Sequence, residues 1–236
     1  MNSITLFIHI YYPGSWKMIR DKCAHILGGA GNVIVSACHD EVIEEIMVDM
    51  PQAHILKVPN KGKDIGGKLA AISYYLNFCE QTEYLAFLHD KISPQTLNSG
   101  YWFDKLYQIF QEKEISKISR LFRKNKKIGI AGSKSFLRNE YIRSSQRFNT
   151  TNDSILSRLI KKFKLGSRHH NYIGGTIFIA RNEIFRHFFT QNRPLEIREE
   201  LETGNVLDLK SGTYTHSWER LLCFIAQNQG YKVIGV

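Results

Sequence analysis

No apolar run in this 236-residue sequence approaches the roughly 20 residues that span a bilayer as a helix. The apolar start, "ITLFIHIYY", has neither a basic leader nor a small-residue cleavage site, so it reads as a first core strand rather than a signal peptide. Cysteine is sparse. Cys23, Cys38, Cys79 and Cys223 form no C-x-x-C pair, which excludes the usual zinc knuckle and redox motif and leaves buried thiols in a reducing compartment as the expectation. Together these absences predict a cytoplasmic protein. Internal repeats and low-complexity linkers are also missing. Acidic residues are scarce in the middle of the chain: from Lys105 to Arg168 there are 17 Lys and Arg against 4 acidic residues. The whole chain carries +10, so the remainder is net −3.

What is present is ordinary globular composition, 43% hydrophobic and 23% charged, in a length that fits one sizeable core. The basic middle predicts a phosphate-rich partner, whether nucleic acid, an anionic membrane surface or a lipid pyrophosphate, with a solvated basic face as the plain alternative. The first ninety residues alternate strand-like and helix-like stretches. "ITLFIHIYY", "NVIVSAC", "HILKVPN" and "EYLAFLHDK" read as strands, and "SWKMIRDKCAHIL", "DEVIEEIMVDM" and "DIGGKLAAISYYLNFC" as helices. That repetition predicts an α/β protein with a mostly parallel sheet covered on both faces. Beyond it, "WFDKLYQIFQEKEISKISRLFRKN" and "ILSRLIKKFKLG" read as basic amphipathic helices, whose apolar stripes face the core or a membrane interface. Residues 139–154 read as a polar loop, "YIGGTIFIAR" as one strand and residues 196–212 as irregular. "THSWERLLCFIAQNQG" reads as a helix capped near Thr215.

In such sheets ligands bind beyond the carboxyl ends of the strands. The polar residues there are His9, Ser36, Asp40, Asn60, His89, Asp90 and Lys91. The stretch "NKGKDIGGKLAAI" at 60–72 partly matches a phosphate loop, but Leu69 stands where that loop needs a magnesium-binding hydroxyl, and the loop follows the third strand. A different nucleotide site fits better. Tyr11 and Tyr12 can stack on a base, and Asp40 can accept from a pyrimidine N–H. Lys61, Lys63 and Lys68 can meet a diphosphate, and Asp64 can accept from a sugar hydroxyl. That set predicts a nucleotide-sugar donor.

In order, "HIYYPGSW", "NKGKDIGG", "FLHDKIS", "IGGTIFIAR" and "THSWERLL" resemble the rhamnan synthesis F-type glycosyltransferases of bacterial polysaccharide enzymes and large algal-virus proteins. The resemblance implies a GT-A fold: one domain over 1–236, with a Rossmann-like nucleotide-sugar-binding half at 1–100 and an acceptor-binding half at 101–236. It implies transfer of a sugar from a UDP- or dTDP-sugar, with rhamnose suggested, to a glycan or lipid-linked glycan. His9 and Tyr11 would flank the base, and Asn60, Lys61 and Asp64 would form the donor loop. Gly174, Gly175 and Thr176 would lie beneath the sugar or acceptor, and His216, Glu219 and Arg220 would close the site. His89, Asp90 and Lys91 stand where such enzymes carry Asp-x-Asp. Either Asp90 alone anchors a divalent cation (Mn or Mg), or Lys91 and neighbouring bases replace it. If the reaction inverts, the base is Glu219 or Asp208, with His216 beside them. Two rivals stay open: a non-catalytic nucleotide-sugar or glycan-binding domain, and a nucleic-acid-binding module. No nucleic acid is expected as a partner, because the aromatics of the basic stretch (Tyr107, Phe110, Phe122 and Phe163) fall mostly on apolar helix faces.

Overall fold

The computed structural model describes residues 3–91, 99–166 and 169–236. The end of the third motif, Ile92-Ser93, and Arg168 at the end of the basic stretch lie outside the described residues. The strands β1 (Ile4–Ile10), β2 (Asn32–Ala37), β3 (His54–Lys57) and β4 (Tyr84–His89) alternate with the helices α1 (Ser15–Leu27), α2 (Asp40–Asp49) and α3 (Lys63–Phe78). After β4 come α4 (Ser99–Tyr107), a 3₁₀ turn at Gln108–Phe110, α5 (Glu112–Lys124) and β5 (Ile128–Gly132). Short strands β6 (Leu137–Asn139), β7 (Tyr141–Ile142) and β8 (Arg147–Phe148) precede α6 (Asp153–Lys162). Then follow β9 (Asn171–Ile173), β10 (Phe178–Arg181), α7 (Asn182–Gln191), α8 (Pro194–Glu199), α9 (Tyr214–Asn228) and β11 (Lys232–Gly235).

A seven-stranded sheet in the order β11-β5-β10-β4-β1-β2-β3 runs through the whole chain. β10 is antiparallel to both neighbours, and every other pairing in this sheet is parallel. The architecture is therefore the expected mostly parallel α/β sheet flanked by helices. Alternate strand residues serve two cores. Phe7, Ile34 and Phe87 pack with residues of α3, α7 and α9, while Leu6, Val35 and Leu88 pack with residues of α1, α2 and α5.

The structure departs from the sequence reading in four places. The long helix after Tyr101 is interrupted by the 3₁₀ turn, whose Ile109 and Phe110 are buried. "YIGGTIFIAR" is two strands: β9 pairs with β6 in a separate small sheet, and β10 enters the main one. Between them Gly175 and Thr176 take left-handed φ values of 80° and 48°, a conformation a straight strand lacks. Residues 139–154 contain the β7–β8 hairpin, and 194–199 form α8. The apolar stripes of the basic helices both face the core. Ile115, Ile118 and Phe122 of α5 and Leu156 and Leu159 of α6 are buried. Among the described residues no helix is long and apolar enough to cross a membrane.

Candidate active site

Ser36, His9 and His89 are register neighbours on β2, β1 and β4 at the carboxyl end of the sheet. They follow Ile34, Phe7 and Phe87 by two residues, so they share the α3 face. Helix α3 presses on them. A Cβ at Gly67 would lie 2.1 Å from His9 Nδ1 and 2.7 Å from Ser36 Oγ, and one at Gly66 would lie 1.7 Å from the Lys61 carbonyl oxygen. The glycines of "NKGKDIGG" are thus packing devices. Gly62, with φ 74°, turns the chain into the helix. His9 Nδ1 bonds Ser36 Oγ at 3.0 Å, and burial pulls the imidazole down to about 4, so it is neutral. Among the described residues His9 Nε2 is buried without a partner.

Next to this row sits a buried polar cluster. Lys68 Nζ donates to Asp64 Oδ2 at 2.9 Å, to Thr176 Oγ1 at 2.6 Å and to the Thr176 carbonyl at 3.0 Å, with His89 Nδ1 at 3.1 Å. Thr176 Oγ1 also lies 2.6 Å from Asp64 Oδ2. Burial opposes ionisation of Asp64, but Lys68, His89 and the Thr176 hydroxyl outweigh it and hold the carboxyl well below its ordinary range. Burial and the Lys68 charge keep His89 neutral. This cluster ties α3 to the Gly174–Thr176 turn and to β4. It forms the floor of a pocket of about 100 Å³ lined by Lys63, Asp64, His89, Lys91, Gly175, Thr176, Thr215, His216 and Glu219.

The other wall is the start of α9. Thr213 caps it, accepting from the His216 N–H at 3.1 Å, and Glu202 accepts from the N–H groups of Tyr214 and Thr215 at 2.6 and 3.0 Å. The cap is therefore Thr213 rather than Thr215, with Glu202 reinforcing it. Glu219 Oε1 accepts from the Gly175 N–H at 2.5 Å. The left-handed Gly175 aims that N–H at the carboxylate. Arg220 is 3.5 Å from Glu219 Oε2, but its short bonds go to Glu140 at 2.7 and 2.9 Å. His216 Nδ1 bonds Thr213 Oγ1 at 2.6 Å, and burial lowers its pKa against the pull of Asp208. Asp208 is held by Asn152 Nδ2 at 2.9 Å. Burial raises its pKa, yet that bond and the charge of His216 leave it below the ordinary value.

The remaining predicted residues lie around this centre. Asp90 does not line the pocket. Its Oδ2 accepts from the N–H groups of Tyr11 and Tyr12 at 2.9 and 2.6 Å and from Ser15 Oγ at 2.9 Å, fixing the turn after β1. The Tyr11 ring meets Tyr12 and His39, each with centroids 5.0 Å apart. Asp40 is exposed and paired with Lys57 at 2.6 Å. Lys61 pairs with Glu199 at 3.2 Å, and Asn60 Nδ2 donates to Asn205 Oδ1 at 3.2 Å. Gly174 donates its N–H to the Phe136 carbonyl at 2.9 Å. Sequence reasoning missed Arg198, which braces the 59–67 loop through the Gly66 and Pro59 carbonyls at 3.2 and 2.9 Å. It also missed Glu202, His39 and Asn152. An arginine inside the acidic run "EIREELE" was the one available signal for Arg198.

A seven-stranded, mostly parallel sheet flanked by helices, with a polar pocket beside its carboxyl-end side chains, defines a mixed α/β protein. Residues 1–231 match the sequence family Rhamnan synthesis protein F, and the chain belongs to that family. Membership implies a role in rhamnan synthesis, in keeping with a glycosyltransferase-type enzyme and with sugar donor and glycan acceptor as partners. No curated protein sequence matches the chain at a significant level.

Proposed function

We propose that the chain is a GT-A glycosyltransferase that takes a nucleoside diphosphate sugar at the carboxyl ends of β1–β4 and passes the sugar to a glycan hydroxyl. One observation carries this reading. The amino end of α3, with Lys63 and Asp64, and the Glu219 carboxylate fixed on the Gly175 N–H open into the same pocket. The helix end and Lys63 favour a diphosphate, and Lys91 adds a second cation on the pocket wall. The aromatic group of Tyr11, Tyr12 and His39 offers stacking surface for the base.

A divalent cation fits this donor set poorly. Asp90 Oδ2 is engaged by three donors, and among the described residues no three His, Cys, Asp or Glu side chains cluster as ligands. The lysines answer the diphosphate charge instead. In the inverting course, the acceptor oxygen attacks the anomeric carbon as the bond to the diphosphate oxygen breaks. The bonding pair leaves with the nucleoside diphosphate, and the acceptor proton passes to Glu219. Asp64 takes no proton, because Lys68 and Thr176 hold it ionised in the floor.

The test is thermal unfolding with a panel of UDP- and dTDP-sugars, deoxysugars included. A donor at a hundred times its Kd should add about 2.7 kcal/mol of stability. If neither a nucleotide sugar nor a free nucleoside diphosphate raises the transition, the donor site is wrong.

A further inference from the structure

We infer that Trp102 is a stacking platform for a sugar ring of the acceptor glycan, placed at the rim of the pocket described above. The inference rests on the glycosyltransferase reading and adds the acceptor side to it.

Of the chain's three tryptophans, Trp16 and Trp218 are 1% and 0% exposed, whereas Trp102 is 45% exposed. Among the described residues Trp102 has neither a hydrogen-bond nor a ring partner. Its neighbour Tyr101 is 63% exposed, with Lys105 Nζ 5.6 Å from its ring centroid. Two large aromatics thus stand side by side on the surface, in a chain that buries its other two tryptophans.

The fold puts this surface next to the reacting groups. Trp102 and Leu106 are four residues apart on α4, so they occupy the same helix face. Leu106 lies directly under the turn that holds the base: a Cβ on Gly175 would touch both of its methyl groups at 3.4 Å. Gly175 gives its N–H to Glu219. The carboxyl end of α4 is fixed in place, because Tyr107 Oη donates to the His89 carbonyl at 2.8 Å. Trp102 therefore stands one helical turn from the residue beneath Gly175, and an acceptor that reaches Glu219 over this side of the Gly175 turn passes its indole.

The chemistry selects the occupant. A pyranose presents one face of C–H groups ringed by hydroxyls. A deoxysugar replaces a hydroxymethyl by a methyl group and is more apolar still. Such a face lies well on an indole, and the indole N–H can donate to a ring hydroxyl. The occupant is therefore a glycan with an apolar sugar face, and a deoxyhexose polymer of the rhamnan type is the probe of choice.

Trp102 supplies its own reporter, since the two other indoles are buried. Acrylamide quenching of intrinsic fluorescence should show one accessible component, absent in Trp102→Phe and protected when a rhamno-oligosaccharide binds. Trp102→Ala should raise the acceptor KM about tenfold with kcat and donor affinity little changed, and Trp102→Phe should recover most of that loss. The exposed position predicts an unchanged melting temperature in both variants. Three results overturn the inference: an oligosaccharide that binds by calorimetry and leaves quenching unaltered, an acceptor KM unmoved in Trp102→Ala, or no oligosaccharide binding in a protein that binds nucleotide sugar. Protection of Trp102 by the oligosaccharide, together with failure of every nucleotide sugar to bind, would instead support the platform and refute the donor site.

Discussion

Glu219 and Asp90 are both carboxylates near the carboxyl ends of the strands, yet their surroundings give them different work. Glu219 has one oxygen on the Gly175 N–H and lines the pocket. In Glu219→Gln the amide oxygen can still accept from Gly175 while the proton acceptor is gone. Transfer should fall about 10²–10⁴-fold with donor affinity unchanged. Parallel kinetics on Asp208→Asn discriminate the two candidates, and near-normal transfer by Glu219→Gln would sink the assignment. Asp90 instead gathers three donors in the turn after β1. Removing it in Asp90→Ala strands buried donors, at about 1–3 kcal/mol for each left unsatisfied. Urea denaturation should report that loss, and donor binding to the parent protein should be indifferent to chelator.

At the scale of the element, α3 is the part that makes the site. Its glycines let the helix lie directly on His9, Ser36 and the Lys61 carbonyl. Gly67→Ala pushes a methyl group to 2.1 Å from His9 Nδ1, so helix or imidazole must move. The expected cost is about 1–3 kcal/mol, with weaker donor binding because Lys63 and Asp64 shift with the helix. Thermal melts with and without donor separate the two effects. The Gly174–Thr176 turn is the matching element on the other side. It bonds Asp64 and Lys68 through Thr176 and Glu219 through Gly175, so it joins the floor of the pocket to the wall that carries Glu219.

For the whole molecule, the buried ionisable groups set a pH response. His9 has a folded pKa of about 4, and His89 is likewise held well below its ordinary value. Both take a proton more readily when unfolded. The stabilising contribution of His9 is complete above about pH 6.5 and is lost as the pH falls towards 4, on the order of 1 kcal/mol per unit, and that of His89 is lost in the same direction. Asp64, ionised in the fold, adds a further loss below the ordinary carboxylate range. Denaturation at pH 7, 5.5 and 4.5 should show stability falling throughout, with a shallower slope in His9→Gln. The surface charge acts separately. Since α5 and α6 bury their apolar stripes, only their Lys and Arg can meet a bilayer. Binding to anionic vesicles is expected at low salt and should vanish near 1 M, where screening acts over about 3 Å. Flotation checks it.

Local pattern by itself determined the strand-helix alternation of the first ninety residues, the sheet they form, and the strand ends where His9, Ser36, His89 and the loop before α3 meet. A half-buried strand or amphipathic helix writes its period into the chain, and its turn residues mark its end. Only the tertiary structure decided the rest. Sequence reading assigns Asp90 a donor or cation role and Glu219 the base role, but partners from Tyr11, Ser15 and Gly175 give one to a turn and the other to the pocket. Asp40 stands at a strand end and still pairs with Lys57 on the surface. "YIGGTIFIAR" hid a left-handed turn inside what reads as one strand. Arg198 and Glu202 brace the 59–67 loop and α9 through contacts outside their own elements. Such contacts depend on where the chain returns in space, which no local period encodes.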